Sequence, residues 1–298
     1  MLNFKAVELS DRAVLEPILR ALPYRVCDHS FSCLYIWENT YPAQYFVEEG
    51  ILYIMYRFPD GRISYQMPLA AGGRLAYAVG RLEEDAGARG IPLELVTINE
   101  QMKMELEEAV PGKFNFIEEP DYADYIYEAE ALRELRGKKL HAKRNYINRF
   151  LAENEGDFAF EPVGPENAAE ILTFNAEWDR EHGFGDDFRR EADAIRRAVV
   201  DLERIGMVGV ALRLSGKIVA YALGTQLNQD TVLEQIEKAS DLPGAYQMIN
   251  QAFAQWFSEG FTYINREEDL GIEGLRKAKL SYYPAYLNMR WRAVPRHV

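Results

Sequence analysis

The 298 residues suit two domains of ordinary size, since single cores stop growing near about 250 to 300 residues and typical domains hold roughly 100 to 150. With 48% hydrophobic and 27% charged residues, the chain carries enough apolar material for substantial cores and no signature of disorder. A net charge of -13 excludes a surface that binds nucleic acid everywhere, so any polyanion must meet a local basic patch.

No apolar run approaches the roughly 20 residues that cross a bilayer, and the start at Met1 lacks the apolar core of a secretory signal, so the expected address is the cytoplasm. Cys27 and Cys33, the two cysteines, match neither a redox pair nor half of a zinc site and are expected to be reduced thiols. The chain has no Gly-rich nucleotide loop, HExxH, GxSxG or paired CxxC, which removes most kinase, zinc-protease, serine-hydrolase and zinc-finger readings. No metal site is expected.

In chain order, a helix from Asp11 to Leu22 precedes strands at Gln44 to Glu48, Ile51 to Phe58 and Arg62 to Leu69, separated by turns at Glu49-Gly50 and Pro59-Asp60-Gly61. A helix from Leu75 to Ala88, a strand from Leu93 to Ile98, a helix from Met102 to Val110 and a strand from Lys113 to Glu118 follow. From Glu128 to Gly156 the apolar spacing is helical and predicts a bridge between lobes. Beyond it come a strand at Phe158 to Pro162, helices from Pro165 to His182 and on to Ile205, and strands at Met207 to Leu214, Ile218 to Leu227 and Thr231 to Lys238. The turns Ser215-Gly216-Lys217 and Asn228-Gln229-Asp230 supply the hairpins. A helix from Gly244 to Ser258, a strand from Phe261 to Asn265, a helix from Ile272 to Ser281 and a closing strand from Tyr286 to Ala293 end the chain. The two halves share an order of elements, which predicts an α+β fold with lobes at 1–130 and 157–298 joined by a basic helix at 131–156.

Three stretches carry candidate chemistry. Between Arg133 and Arg149 seven basic residues face one acid, Glu134. Lys138, Lys139, Lys143 and Arg144, with Asn145 and His141 beside them, are candidate ligands for a phosphate-bearing donor. The same pattern also fits a solvated basic face that balances Glu153, Glu155 and Asp157. At Pro243-Gly244 a strand feeds a helix, and the free N–H groups of a helix start favour an anion, which makes Gly244 a candidate for the donor or the oxyanion. The third stretch, Asn265 to Pro284 (NREEDLGIEGLRKAKLSYYP), sets Asp269 after a strand and Arg276 and Lys279 on the next helix, a mixed-charge arrangement that also fits a structural salt-bridge network.

An amine nucleophile must shed a proton, and a carboxylate on a central strand is the natural acceptor. Glu234 and Glu237 are expected on opposite faces of their strand, with Val232 and Ile236 on the face of Glu234. Glu234 and Asp269 are the candidate bases, and Glu177 is a weaker alternative.

Arg136 to Phe150 (RGKKLHAKRNYINRF) and the run from Asn265 to Pro284 resemble bacterial proteins similar to the C-terminal domain of phosphatidylglycerol lysyltransferase. The resemblance implies a tandem pair of GNAT (acetyltransferase)-like lobes, related to the Fem aminoacyltransferases. It implies transfer of an acyl or aminoacyl group from a coenzyme A thioester or an aminoacyl-tRNA to a small-molecule or lipid-headgroup acceptor bearing an amine or hydroxyl. Acetyltransferases of this type carry a Gln/Arg-x-x-Gly-x-Gly/Ala loop, where this chain has Asp241, Gly244 and Tyr246. An acid in the first place repels a pyrophosphate, which leaves open a non-catalytic alternative, a module that senses a metabolite or binds a partner.

Overall fold

The computed structural model describes residues 1–58, 60–70, 73–183 and 185–296. The first part of the chain forms β1 (Lys5–Ala6), α1 (Arg12–Arg20), α2 (Phe31–Ile36), β2 (Ala43–Glu48), β3 (Ile51–Arg57), β4 (Ile63–Gln66), α3 (Leu75–Ala88), β5 (Leu95–Ile98), α4 (Glu100–Ala109), β6 (Phe114–Glu118) and β7 (Asp124–Glu128). The rest forms α5 (Ala129–Glu134), α6 (His141–Glu153), β8 (Phe158–Pro162), α7 (Ala168–His182), α8 (Asp186–Val200), β9 (Met207–Leu214), β10 (Lys217–Gln226), β11 (Thr231–Ala239), α9 (Ala245–Phe257), β12 (Tyr263–Asn265), α10 (Glu273–Leu280), β13 (Tyr286–Asn288) and β14 (Trp291–Pro295). Pro59, placed in a turn by the sequence, lies outside the described residues.

Two seven-stranded sheets result, ordered β1-β2-β3-β4-β5-β14-β6 and β13-β7-β12-β11-β10-β9-β8. They do not follow the expected boundaries at residues 130 and 156. Strand β7 pairs antiparallel with β12 and β13 in the second sheet, and β14 crosses back to pair with β5 and β6 in the first. The predicted closing strand, Tyr286 to Ala293, is therefore two strands in two sheets. Between them Arg290 turns inward, 2% exposed, to meet Asp124 at 2.7 Å. The lobes also share an apolar core, in which Ala194, Ile195 and Ala198 of α8 join Leu15, Leu34 and Ile54 of the first lobe.

The continuous helix predicted from Glu128 to Gly156 is interrupted. Leu135 takes a left-handed conformation (φ 50°) and Gly137 another (φ 85°), which separates α5 from α6. The Arg144 guanidinium donates to the carbonyl oxygens of Leu135 and Gly137, satisfying acceptors that a continuous helix would have paired. Leu132, Leu135, Ile147 and Phe150 then pack in the second core with α9. These two helices belong to the second lobe and are not a free bridge.

One irregularity positions the site. The β10–β11 pairing shifts register between Leu223↔Ile236 and Gly224↔Glu234, leaving Gln235 as an extra residue in β11. Such a bulge inverts the alternation beyond it. Val232 accordingly packs with α9 and Ile236 in the opposite cluster, while Glu234 and Glu237 share a face, contrary to the expected alternation. The bulge brings the backbones together, so that a Cβ at Gly224 would lie 2.1 Å from the Leu233 carbonyl oxygen and 2.5 Å from Phe253 Cζ. Gly224→Ala is therefore expected to cost about 3 kcal/mol in urea unfolding. Gly87→Ala, in open space on α3, is expected to stabilise by about 0.5 kcal/mol.

Candidate active site

Strands β11 and β12 pair in parallel over only three positions, Thr231↔Tyr263 to Leu233↔Asn265. From the end of β12, the Arg266 side chain reaches across to β11. Its Nε lies 2.8 Å from Glu234 Oε2, and its Nη2 donates to Glu237 Oε2 at 2.7 Å. Asn250 of α9 donates to Glu237 at 3.0 Å and to Glu234 at 3.4 Å. Two carboxylates thus share one guanidinium in a buried place, Glu234 being 4% exposed. Burial pushes the Glu234 carboxyl well above its ordinary value, with Arg266 opposing and Glu237 adding to the rise. Against the cost of burial, the charges of Glu237 and Glu234 hold Arg266 above its ordinary value, so it remains a cation. Glu234 Oε1 and Asn250 Oδ1 have no hydrogen-bond partner among the described residues.

Aromatic rings lead outward from this cluster. The Arg266 guanidinium carbon lies 5.7 Å from the Tyr127 ring and 5.2 Å from that of Tyr282. Lys143 Nζ sits 4.0 Å from the Tyr282 ring and donates to Ser281 Oγ at 2.6 Å, and Lys139 Nζ lies 5.4 Å from the Tyr283 ring. Burial, with Arg266 adding repulsion, lowers the Lys143 pKa. Lys139 and Tyr283 line an open depression of about 480 Å³ with Leu280, Pro284 and Ala131. Tyr283 is 50% exposed and has a left-handed backbone (φ 56°), an uncommon conformation for an aromatic residue.

The candidates from sequence divide accordingly. Glu234, Lys143 and Lys139 fall along this series, and Lys138 is exposed beside it with no ion-pair partner among the described residues. Arg144 is occupied with backbone carbonyls, and Asn145 meets His141 at 3.2 Å on the exposed face of α6. Gly244 starts α9 with φ 94°, and a Cβ there would be 2.6 Å from the Tyr146 carbonyl oxygen. That oxygen, and Asp241 paired with His182 at 3.2 Å, make the helix start a poor seat for a phosphate. Glu177 is exposed beside Arg180.

Asp269, Arg276 and Lys279 form a separate group. Asp269 is buried, but Arg276, the Tyr125 hydroxyl and the Gly271 N–H all donate to it. They outweigh burial and hold its carboxyl at about 2. A carboxylate this acidic is a counter-ion for Arg276, which also meets Asp121 at 2.7 Å, and not a base at neutral pH. Lys279 is buried, and its ammonium donates to the carbonyls of Arg266 and Glu268, pinning the loop after β12 and holding no external anion. Asn250 and Tyr127 were not among the sequence candidates. An asparagine among Met248, Ile249, Ala252 and Phe253 on a buried helix was the available signal for Asn250.

The family model described as "Phosphatidylglycerol lysyltransferase, C-terminal" matches residues 19–294. The chain belongs to that family. A conserved protein of unknown function from Bacteroides thetaiotaomicron is similar at 36% identity, with a TM-score of 0.94 over 99% of this chain and 100% of that one. The C-terminal domain of a putative lysylphosphatidylglycerol synthetase from Agrobacterium fabrum is similar at 18% identity, with a TM-score of 0.65 over 90% of this chain and 88% of that one. FemX (10% identity, TM-score 0.62, 98% of this chain and 97% of that one) and a tandem GNAT protein from clavulanic acid biosynthesis (11%, 0.50, 100% of each) share the architecture, so the fold is a tandem pair of GNAT-like lobes. An uncharacterized protein of Mycoplasmoides gallisepticum is 23% identical over 67% of this chain, and the match spans 65% of that relative's length. No helix among the described residues of this family member is long and apolar enough to cross a membrane.

Asp269 also gives the family member a checkable acid transition. Its folded pKa lies below the 3.8 of an exposed aspartate, so its stabilisation is present above pH 3.8 and disappears as pH falls through about 2. With Arg276 partly exposed, Asp269→Asn is expected to cost about 1–2 kcal/mol at pH 7 in urea unfolding. The deficit should shrink below pH 4 and vanish near pH 2.

Proposed function

We propose that this chain transfers an aminoacyl group from a tRNA ester to an amine or hydroxyl acceptor at the Glu234–Arg266–Glu237 cluster. The observation that carries this reading is the series of cations and rings from Lys139 and Tyr283 at the surface, through Lys143 and Tyr282, to Arg266 beside Glu234. An exposed ring, Tyr283, flanked by lysines suits a single-stranded RNA end, whose terminal base stacks while its phosphates pair with ammonium groups. A coenzyme A donor is less well served, because Asp241 and the Tyr146 carbonyl occupy the α9 start where a pyrophosphate would sit. The names of the relatives, a lysylphosphatidylglycerol synthetase domain among them, accord with aminoacyl transfer. The reading places the protein in the cytoplasm, with charged tRNA.

In the transfer to an amine, the acceptor nitrogen attacks the ester carbonyl of the donor. A C–N bond forms and the C–O bond to the terminal ribose breaks. The nitrogen's proton passes to Glu234 Oε1 and then to the leaving ribose oxygen. Burial raises this carboxyl, which favours its holding the proton between the two steps. Arg266 and Lys143 offset the negative charge that develops on the carbonyl oxygen and the leaving group.

Lys139→Ala with Lys143→Ala is expected to weaken binding of charged tRNA at least tenfold in filter-binding titrations, and to flatten the log K against log salt slope by about 1.4. Unchanged tRNA affinity would sink the donor assignment. Binding without any transfer would select the sensing alternative.

A further inference from the structure

The two sheets end in the edge strands β1, β6, β13 and β8, and all but β6 are blunted. Strand β1 has two residues, β13 has three, and β8 closes on Pro162, which has no N–H to offer. The five residues of β6, Phe-Asn-Phe-Ile-Glu, include neither proline nor lysine, and their pairing with β14 is regular throughout. No other strand among the described residues pairs with β6. Beside it an open depression of about 350 Å³ is lined by Lys103 and Met104 of α4 with Phe114, Asn115, Phe116 and Arg296.

Register decides which backbone groups this edge offers. The Glu119 N–H donates to the Arg290 carbonyl at 2.8 Å, and the Arg296 N–H to that of Lys113 at 2.9 Å. Such positions alternate with ones that turn their N–H and C=O outward, so those of Phe114, Phe116 and Glu118 point away from β14. Phe114 is buried, whereas Phe116 is half-buried and Glu118 exposed, which leaves two residues presenting backbone groups at an accessible edge. Apolar side chains flank them, Ile117 being 41% and Met104 59% exposed.

The charges around the strand are divided between its ends. Glu118 has no ion-pair partner among the described residues. On its face of the sheet Lys103 Nζ lies 5.8 Å from the Phe116 ring and 4.7 Å from that of Trp291, with a long contact of 3.9 Å to Glu100. On the other face the Arg296 guanidinium donates to Asn115 at 3.1 Å and meets no carboxylate among the described residues.

We propose that β6 pairs antiparallel with β6 of a second copy of this chain, about a two-fold axis at Ile117, joining two first-lobe sheets edge to edge. Phe116 then stands opposite Glu118 of the second copy, and each such pair exchanges two N–H···O=C bonds. Ile117 meets its counterpart at the non-hydrogen-bonded position, with Cα atoms about 4.5 Å apart and side chains in contact. Each Glu118 falls on the Phe116 face of the other copy, beside Lys103, and each Glu119 falls opposite Asn115, beside Arg296. A two-fold thus turns the acidic end of the strand onto the basic end, a match that an unrelated peptide does not supply. The Glu234 cluster lies in the other sheet, so this inference stands apart from the group-transfer reading.

Sedimentation velocity of the intact protein from about 1 to 200 µM tests it. The mass is expected to rise with concentration from the 34.3 kDa of one chain toward twice that. Amide hydrogen exchange at Phe116 and Glu118 should slow over the same range, while Asn115 and Ile117, whose amides already face β14, should not change. Ile117→Glu, which sets two like charges on the axis, is expected to weaken the dimer at least tenfold. Lys103→Glu and Glu118→Lys should each weaken it, and the two together should restore most of the loss. A chain that stays monomeric throughout overturns the inference and leaves the edge to an extended segment of another protein. It is also overturned if a dimer forms with exchange at Phe116 and Glu118 unaltered, if Ile117→Glu dimerises as tightly, or if the double charge variant is no tighter than the single ones. Because Lys103 also packs on Phe116 and Trp291, Ile117, exposed on the opposite face, is the deciding position.

Discussion

One guanidinium serving a buried carboxylate and a half-buried one is the constraint on which the second lobe depends. Arg266 follows Asn265, the last paired position of β12, and its side chain lands on Glu234 and Glu237 of β11, just beyond where the two strands stop pairing. Glu234 does not tolerate that depth alone, since desolvating an unpaired ion costs several kcal/mol. The bulge at Gln235 is what lets one arginine reach both, by turning Glu237 to the face of Glu234, and Gly224 is what lets the bulge form. A backbone irregularity, a missing side chain and an ion triad are thus one arrangement.

The same strands present different chemistry on their two faces. Toward α9 lie Glu234, Asn250, Tyr127 and Tyr282 under a surface of lysines, which suits a polyanionic donor. Toward the first lobe lie Glu267, Glu268, Asp124 and Asp28, an acidic group. The exchange of β7 and β14 between sheets makes this second face possible, because it brings Asp124 of β7 together with Arg290, in the link between β13 and β14, at the junction.

Much of this was legible in the residues. The β2–β3–β4 meander, the Ser215-Gly216 hairpin, the basic stretch and the charged run after β12 all carry local signals, and the structure has them where periodicity and turn chemistry placed them. The relation of Glu234 to Glu237 was not legible, because one inserted residue reverses a period of two without leaving a mark in composition. The exchange of β7 and β14 is a long-range pairing, invisible to any window of neighbouring residues. Gly137 could have ended the bridging helix on sequence grounds. That Arg144 would be consumed by the break, and Lys279 by the loop after β12, depends on contacts that only the folded chain makes. Charge clusters in sequence showed where chemistry gathers but not which members remain free to do it.

A double-mutant cycle in urea unfolding at pH 7, built from Arg266→Met and the paired change Glu234→Gln with Glu237→Gln, tests the central interaction most directly. If Arg266 is the shared counter-ion of Glu234 and Glu237, Arg266→Met alone costs about 3–5 kcal/mol, and most of that cost disappears when both glutamates are neutral. Costs that simply add, with the arginine change equally damaging in the neutral background, would contradict the account.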